Sequence, residues 1–326
     1  MTDTAFVLGV DSGGSGLRAA LAAPDGARRA EPVRSDEPVR AGAGGIDAGH
    51  FMVRLAPLVR ELLERAGGGR ITAAAIGAAG MASLGDGLRA QLPAALAAAL
   101  GVRRVALASD AVTAYAGALG ARPGVVVAAG TGMVALGTDL TAWRRADGWG
   151  QLLGDCGGGA WIGRAGLEAV LRAHDGRRGG SQELRARAEE RFGPLAGLPA
   201  LLHSRADRPA VLASFAPEVA RCAAGDAVAG GILRDAARHI AEAAAAAGPP
   251  EGACEVALTG GLFKVGEPLL GPLREELAGQ LPHARQVPAA GDPLDGALRV
   301  AVDVARGALR LPYDARMLSV HEEGDS

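Results

Sequence analysis

The chain holds 326 residues, 49% of them apolar, with a formal net charge of −2 and 50 glycines. That length allows two domains, each with its own core, and a near-neutral charge without a block of Lys or Arg excludes a surface built to track nucleic acid. No basic n-region leads into an apolar run, and no apolar stretch reaches about twenty residues, so neither a secretory signal nor a membrane span is expected and a cytoplasmic protein is.

Cys156, Cys222 and Cys254 are scattered, with no Cys-x-x-Cys pair, which fits neither a disulfide framework nor a zinc knuckle. The chain is rich in Gly and Ala and has no Asn at all. A glycine count alone therefore carries little, and only glycines at strand ends are informative.

Phe6-Val7-Leu8-Gly9-Val10 is a short apolar run suited to a buried strand. Asp11 and a Gly/Ser turn follow, then Leu17-Arg18-Ala19-Ala20-Leu21-Ala22, which predicts a β-hairpin. Phe51, Leu55, Leu58, Val59, Leu62 and Leu63 recur at helical spacing over 48–67, and 71–76 gives the next strand. Residues 91–100 predict a helix, 105–108 a strand, and Asp110 opens a further helix. The second half restarts the scheme with Val125-Val126-Val127-Ala128-Ala129, the turn Gly130-Thr131-Gly132 and a returning strand over 133–137. The echo predicts an internal duplication, two mixed sheets flanked by helices, joined near 119–124. Helices over 182–191 and 232–247, a strand over 254–258 and a closing helix over 293–305 complete the order.

Five places carry candidate chemistry. Asp11 with Ser12, Gly13, Gly14, Ser15 and Gly16 is a turn whose main-chain N–H groups can approach a phosphate without Cβ obstruction. An acidic residue there calls for a divalent cation, although the same residues also read as a plain hairpin turn. Gly130, Thr131 and Gly132 repeat the arrangement and add a hydroxyl, so that two turns can hold neighbouring phosphates as phosphoryl transfer requires. Asp110, at a strand end and helix start, is a candidate general base, and equally a helix N-cap. Gly148-Trp149-Gly150 with Asp155 offers an aromatic face and a carboxylate to a sugar, and Thr259-Gly260-Gly261-Leu262-Phe263-Lys264 offers bare backbone to an adenine ring. The six histidines form no catalytic pattern.

In this order the motifs resemble the N-acetylglucosamine kinase branch of the BadF/BadG/BcrA/BcrD-type ATPases, within the superfamily of acetate kinase, sugar kinases, heat-shock proteins and actin. The resemblance runs from Val7 to about Ala305, and Gly148 to Asp155 followed by Trp161-Ile162-Gly163-Arg164 is its most specific part. It implies an α/β fold of two ribonuclease-H-like (actin-like ATPase) domains with a cleft between them, one over 1–118 joined by a C-terminal helix at about 293–308, the other over 119–326. It implies ATP and Mg2+ as cofactors and transfer of the γ-phosphoryl group to the 6-hydroxyl of an amino sugar, N-acetylglucosamine first, glucosamine or another modified hexose next. Asp110 would then take the hydroxyl proton, Asp11 would help place Mg2+, and Ser12, Gly13, Gly14, Ser15, Gly130, Thr131 and Gly132 would line the phosphates. Ala216, Gly260, Gly261 and Lys264 would lie at adenosine, and Gly148, Trp149, Gly150 and Asp155 at the sugar. The implied partner is the sugar, and a homodimer is compatible with the resemblance. Readings of another class are an ATP-driven activator with a cysteine-held iron–sulfur cluster and a non-catalytic nucleotide-binding regulator.

Three positions depart from the family pattern. Ala41-Gly42-Ala43-Gly44-Gly45 stands where an Asn is usual, Met133 and Val134 follow the second turn where Ser is frequent, and Cys156, Gly157 and Gly158 replace Glu, Gly and Ser. Apolar or absent groups there leave the identity of the acceptor open, and with it the role of Cys156.

Overall fold

The computed structural model describes residues 4–14, 16–28, 30–42, 45–203, 205 and 207–322. The mixed α/β architecture expected from the sequence is present, with two main sheets and flanking helices. The chain divides into two compact units, one of Met1–Gly124, Thr138–Trp143 and Pro288–Ser326, the other of Val125–Gly137 and Arg144–Val287.

The first unit is built on a six-stranded sheet in the order Leu318–Glu322, Arg104–Ser109, Arg70–Ala78, Ala5–Gly13, Gly16–Ala22, Val33–Ser35. The first strand runs through Asp11 and Ser12 before turning, so the expected turn shrinks to Gly14 and the undescribed position 15. Ser15 and the pair Ala43 and Gly44 of the departing loop lie outside the described residues. Leu8, Val10, Phe51, Leu55, Leu62 and Ile76 are fully buried in this unit's core, and Asp47 caps the helix Ala48–Arg65 by accepting from the His50 N–H at 2.9 Å.

The helix Pro293–Arg306 lies against the first strand and against the helix Asp110–Leu119, and glycines permit both approaches. A Cβ at Gly9 would sit 2.7 Å from the Leu298 nitrogen, and Cβ atoms at Gly117 and Gly296 would strike the Asp292 and Thr113 carbonyl oxygens. The sequence reading lacked the strand Leu318–Glu322, which pairs antiparallel with Arg104–Ser109 and places the Met317 carbonyl 2.9 Å from the Ser109 N–H.

The second unit carries a five-stranded sheet in the order Trp143–Asp147, Met133–Thr138, Gly124–Ala129, Cys254–Thr259, Ala284–Val287. Its outer strand Trp143–Asp147 and the helices Gly159–His174 and Glu267–Gln280 were not read from the sequence. Phe215, Val170, Leu233, Ile240 and Leu273 are among its buried core residues. Among the described residues no helix is long and apolar enough to cross a membrane.

Two glycine substitutions of opposite sign test this packing, one at the helix contact of the first unit and one at an open position of the second unit. Gly296→Ala forces a Cβ onto backbone and should cost about 1–3 kcal/mol. Gly279→Ala, where a Cβ meets nothing within 4 Å in an exposed part of the helix Glu267–Gln280, should stabilise by about 0.5–1 kcal/mol. Thermal unfolding of the two variants beside the native chain reads both signs.

Candidate active site

In the first unit the hairpin register pairs Asp11 directly with Arg18. The Arg18 Nε and Nη2 donate to Asp11 Oδ2 at 3.1 and 2.7 Å, and Nη1 donates to Asp292 Oδ2 at 2.7 Å. Burial alone would lower the Arg18 pKa, but the hydrogen bonds and charges of Asp11 and Asp292 outweigh it and raise it. Arg18 therefore stays charged and links the first turn to the start of the helix Pro293–Arg306. Asp292 caps that helix through Leu294 and Asp295 N–H groups at 2.9 and 3.0 Å, and the Asp295 carboxylate returns a bond to the Asp292 N–H at 2.9 Å, completing a capping box.

A magnesium ion that arrives with a nucleotide keeps several waters and takes one or two carboxylates from the protein. The donor set fits that mode. Both Arg18 contacts fall on Oδ2 of Asp11, so Oδ1 is the oxygen suited to a cation, and among the described residues no three His, Cys, Asp or Glu side chains gather into a metal cage. Ser12 is buried, whereas Cβ atoms at Gly13 and Gly14 would meet nothing within 4 Å, so the turn presents bare backbone to open space.

Asp110 is not the cap of its helix. Ser109 is, its hydroxyl accepting from the Val112 N–H at 3.3 Å. Asp110 is the first helical residue and is exposed, with Oδ1 accepting from the Ala111 N–H at 2.9 Å.

In the second unit the turn Gly130 to Gly132 closes on itself through Gly130 N–H to the Gly132 carbonyl at 2.9 Å. Its outer carbonyls receive the first N–H groups of the helix Gly159–His174, from Gly159 to Gly130 at 2.9 Å and from Ala160 to Thr131 at 2.8 Å. Thr131 is exposed, and a Cβ at Gly130 meets nothing.

Asp155 joins this turn to the Gly148–Gly150 loop. Its Oδ1 accepts from the Gly150 N–H at 3.1 Å, and Oδ2 occupies the place a Cβ at Gly132 would need. Burial above all raises the Asp155 pKa, and the nearby Asp147 charge adds to it, against the pull of Gly150, Arg145 and Met133. Asp147, which the sequence reading missed, holds the Asp155 N–H at 2.6 Å on Oδ1 and the Cys156 N–H at 2.9 Å on Oδ2. Asp147 and Asp155 both adopt left-handed backbone, φ 60° and 55°, a conformation Asp tolerates better than most residues. Burial, then the Asp147 charge, pushes the Cys156 thiol up, so it stays protonated and is not an activated nucleophile.

The remaining expected residues sit apart from these carboxylates. Gly260, with φ 107°, lies where a Cβ would strike the Ala129 backbone, while Gly261 opens to empty space. Lys264, the chain's one lysine, is exposed on the short 3-10 turn Gly261–Val265. Ala216 is buried at the start of the helix Ala216–Cys222, so its own side chain faces the core. Met133, expected near the substrate, is likewise buried in the core.

The profile of the BadF/BadG/BcrA/BcrD ATPase family matches residues 8–296. Comparison with curated proteins finds no match. Among solved structures, a candidate N-acetylglucosamine kinase from Chromobacterium violaceum shares 29% identity over 90% of this chain and 97% of its own, with a TM-score of 0.72. A candidate N-acetylglucosamine kinase from Porphyromonas gingivalis shares 16% identity over 92% and 99%, with a TM-score of 0.66. A ROK family glucokinase from Streptomyces griseus, solved with glucose and AMPPNP, shares 20% identity over 93% and 99%, with a TM-score of 0.55. The last two show the fold.

Two substitutions test the carboxylate scaffolding. Asp147→Asn can accept at only one of the two oxygens now used and should cost about 1–3 kcal/mol in urea unfolding. Asp292→Ala should cost about 1 kcal/mol at pH 7 through the lost cap. Burial works against it, but the Asp295 N–H, Arg18 and the Leu294 N–H leave the Asp292 pKa lowered. Its contribution is therefore present above the unfolded value of about 3.9 and is lost as pH falls through the lower folded value. The stability gap between native and Asp292→Ala chains should close in acid; a gap that widens there contradicts the assignment.

Proposed function

Because the chain belongs to the BadF/BadG/BcrA/BcrD ATPase family, we propose that it is an ATP-dependent sugar kinase transferring the γ-phosphoryl group to the 6-hydroxyl of an amino sugar, with N-acetylglucosamine the favoured acceptor. The observation that carries this reading is Asp110. The capping task that would explain a carboxylate at this position is done by Ser109, and Asp110 stands exposed at the head of its helix. Likeness at 29% identity to the Chromobacterium violaceum protein supports the amino-sugar acceptor.

In this mechanism Asp110 accepts the proton of the sugar's 6-hydroxyl as its oxygen attacks the γ-phosphorus, and the bond to the β-phosphate oxygen breaks to release ADP. The Ala111 N–H keeps the carboxylate oriented. Gly13 and Gly14 on one turn, and Thr131 and Gly132 on the other, receive phosphate oxygens on main-chain N–H groups and the Thr131 hydroxyl, while the Gly130 N–H stays on the Gly132 carbonyl and holds the turn's shape. Magnesium bound with the nucleotide neutralises phosphate charge, and Asp11, fixed by Arg18, is the residue assigned to hold it. Gly261 leaves room for the adenosine, with Gly260 packed on the Ala129 backbone before it and Lys264 beside them. Gly148, Trp149 and Gly150 meet the sugar, and Asp155 fixes their loop while presenting its carboxylate edge to a hydroxyl.

ADP release across a panel of N-acetylglucosamine, glucosamine, glucose and related sugars tests the proposal. Release should depend on sugar, and Asp110→Ala should lower kcat by about 10²- to 10⁴-fold with little change in the KM for ATP. Sugar-independent release, or turnover unaffected by Asp110→Ala, would sink it.

A further inference from the structure

Trp149 is 71% exposed on a loop whose neighbouring glycines, Gly148 and Gly150, both have positive φ, 74° and 85°. An indole so placed, on backbone so permissive, has little core to lock its rotamer. Arg145 supplies the lock. Its guanidinium carbon lies 5.2 Å from the Trp149 ring centroid, Nε donates to the Asp147 carbonyl at 3.2 Å, and Nη2 donates to the Gly148 carbonyl. Among the described residues it is the one cation stacked on that ring. Val134, on the returning strand, crowds Gly148 together with Arg145, since a Cβ there would come within 2.9 Å of the Val134 side chain and 2.8 Å of Arg145 Nη2.

We propose that Arg145 is a positioning residue for the acceptor: it covers one face of the Trp149 indole and ties the Gly148 carbonyl, so that the loop meets the sugar with the other indole face already oriented. The inference rests on reading this loop as the sugar side of the proposed kinase. Arg145 suits the task for three reasons on the page. The planar fork spans two consecutive carbonyls, the flat cation stacks on the ring, and the residue sits on the strand Trp143–Asp147, whose end also sets Asp147 under Asp155. A loop ordered before binding spends less of the sugar's binding energy on freezing the indole, which is where affinity for a small polar ligand is commonly lost.

The test uses the full chain with Arg145→Ala and Arg145→Lys. Arg145→Ala should raise the KM for the accepted sugar about tenfold, with kcat, the KM for ATP and the melting temperature held. Arg145→Lys should recover little, because an ammonium cannot span two carbonyls while lying flat on a ring. A second readout needs no turnover: the time-resolved fluorescence anisotropy of Trp149, taken as the difference between each chain and its Trp149→Phe counterpart, should show faster indole motion in Arg145→Ala without sugar present. Unchanged anisotropy overturns the inference whatever the kinetics, and so does a loss carried by kcat alone or full rescue by Lys. A native chain that phosphorylates no sugar overturns the kinase reading instead, and the anisotropy then still decides whether Arg145 holds the indole.

Discussion

The second unit's site hangs on a carboxylate in a left-handed backbone. Asp155 accepts from the Gly150 N–H on Oδ1 and packs Oδ2 against Gly132, so one side chain joins the Trp149 loop to the turn of Gly130 to Gly132. Neither partner holds that geometry alone. The loop is bracketed by positive-φ glycines, and the turn owes its shape to the Gly130–Gly132 bond and to the helix Gly159–His174 beneath it. Asp147 completes the joint from below by fixing the two consecutive N–H groups of Asp155 and Cys156. Two carboxylates this close are costly, which is why burial and mutual charge raise the Asp155 pKa. Backbone donors offset the cost without adding side chains, so the space around Gly130 stays empty for a ligand.

The first unit solves the same problem with a cation in place of N–H groups. Arg18 bridges Asp11 and Asp292, and Asp292 is at once the cap of the helix Pro293–Arg306 and the carbonyl against which Gly117 of the Asp110 helix packs. A displacement of either helix would thus reach Asp11 through one guanidinium. This arrangement explains why the C-terminal segment, far from Asp11 in sequence, belongs to the same unit. The strand Leu318–Glu322 adds a second tie by fixing Ser109, the cap on which the exposure of Asp110 depends.

Much of this was legible in the chain. Local hydrophobic period found the hairpin, the helix Ala48–Arg65 and the strands beside each turn, because those elements bury one clear face. Counting back from the hairpin turn pairs Asp11 with Arg18, so the signal for that ion pair was present and was passed over. The helix Gly159–His174 escaped notice for a physical reason. Gly159, Gly163 and Gly166 weaken a helical reading, yet each is there because a Cβ would strike the Gly130 carbonyl, the Leu212 carbonyl or the Val219 side chain. Close approach in the tertiary structure overrode propensity. The strand Leu318–Glu322 was invisible because its only reason to be a strand is a partner two hundred residues away in sequence, Arg104–Ser109. Asp110 was ambiguous by a single position, since Ser109 and Asp110 are both good caps and only the backbone decides between them.

The departures on the acceptor side take on a different meaning once the packing is known. Met133 points into the core, so an apolar residue there removes nothing from the site. Gly157 and Gly158 have no room for a larger side chain, because Cβ atoms would lie 2.6 Å from the Ala236 carbonyl oxygen and 2.8 Å from the Gly132 backbone. Their lack of polar groups follows from bringing the loop close to the turn of Gly130 to Gly132, and a serine at Gly158 would push the two apart. Cys156 differs from these: a protonated thiol in place of Glu removes a carboxylate acceptor that packing does not account for. On the proposed kinase reading, discrimination among sugars then draws also on groups that the family pattern did not point to. In the second unit those are Val134 beneath Gly148 and Arg145 over Trp149, an apolar wall and a stacked cation that shape the loop by position more than by direct polar contact.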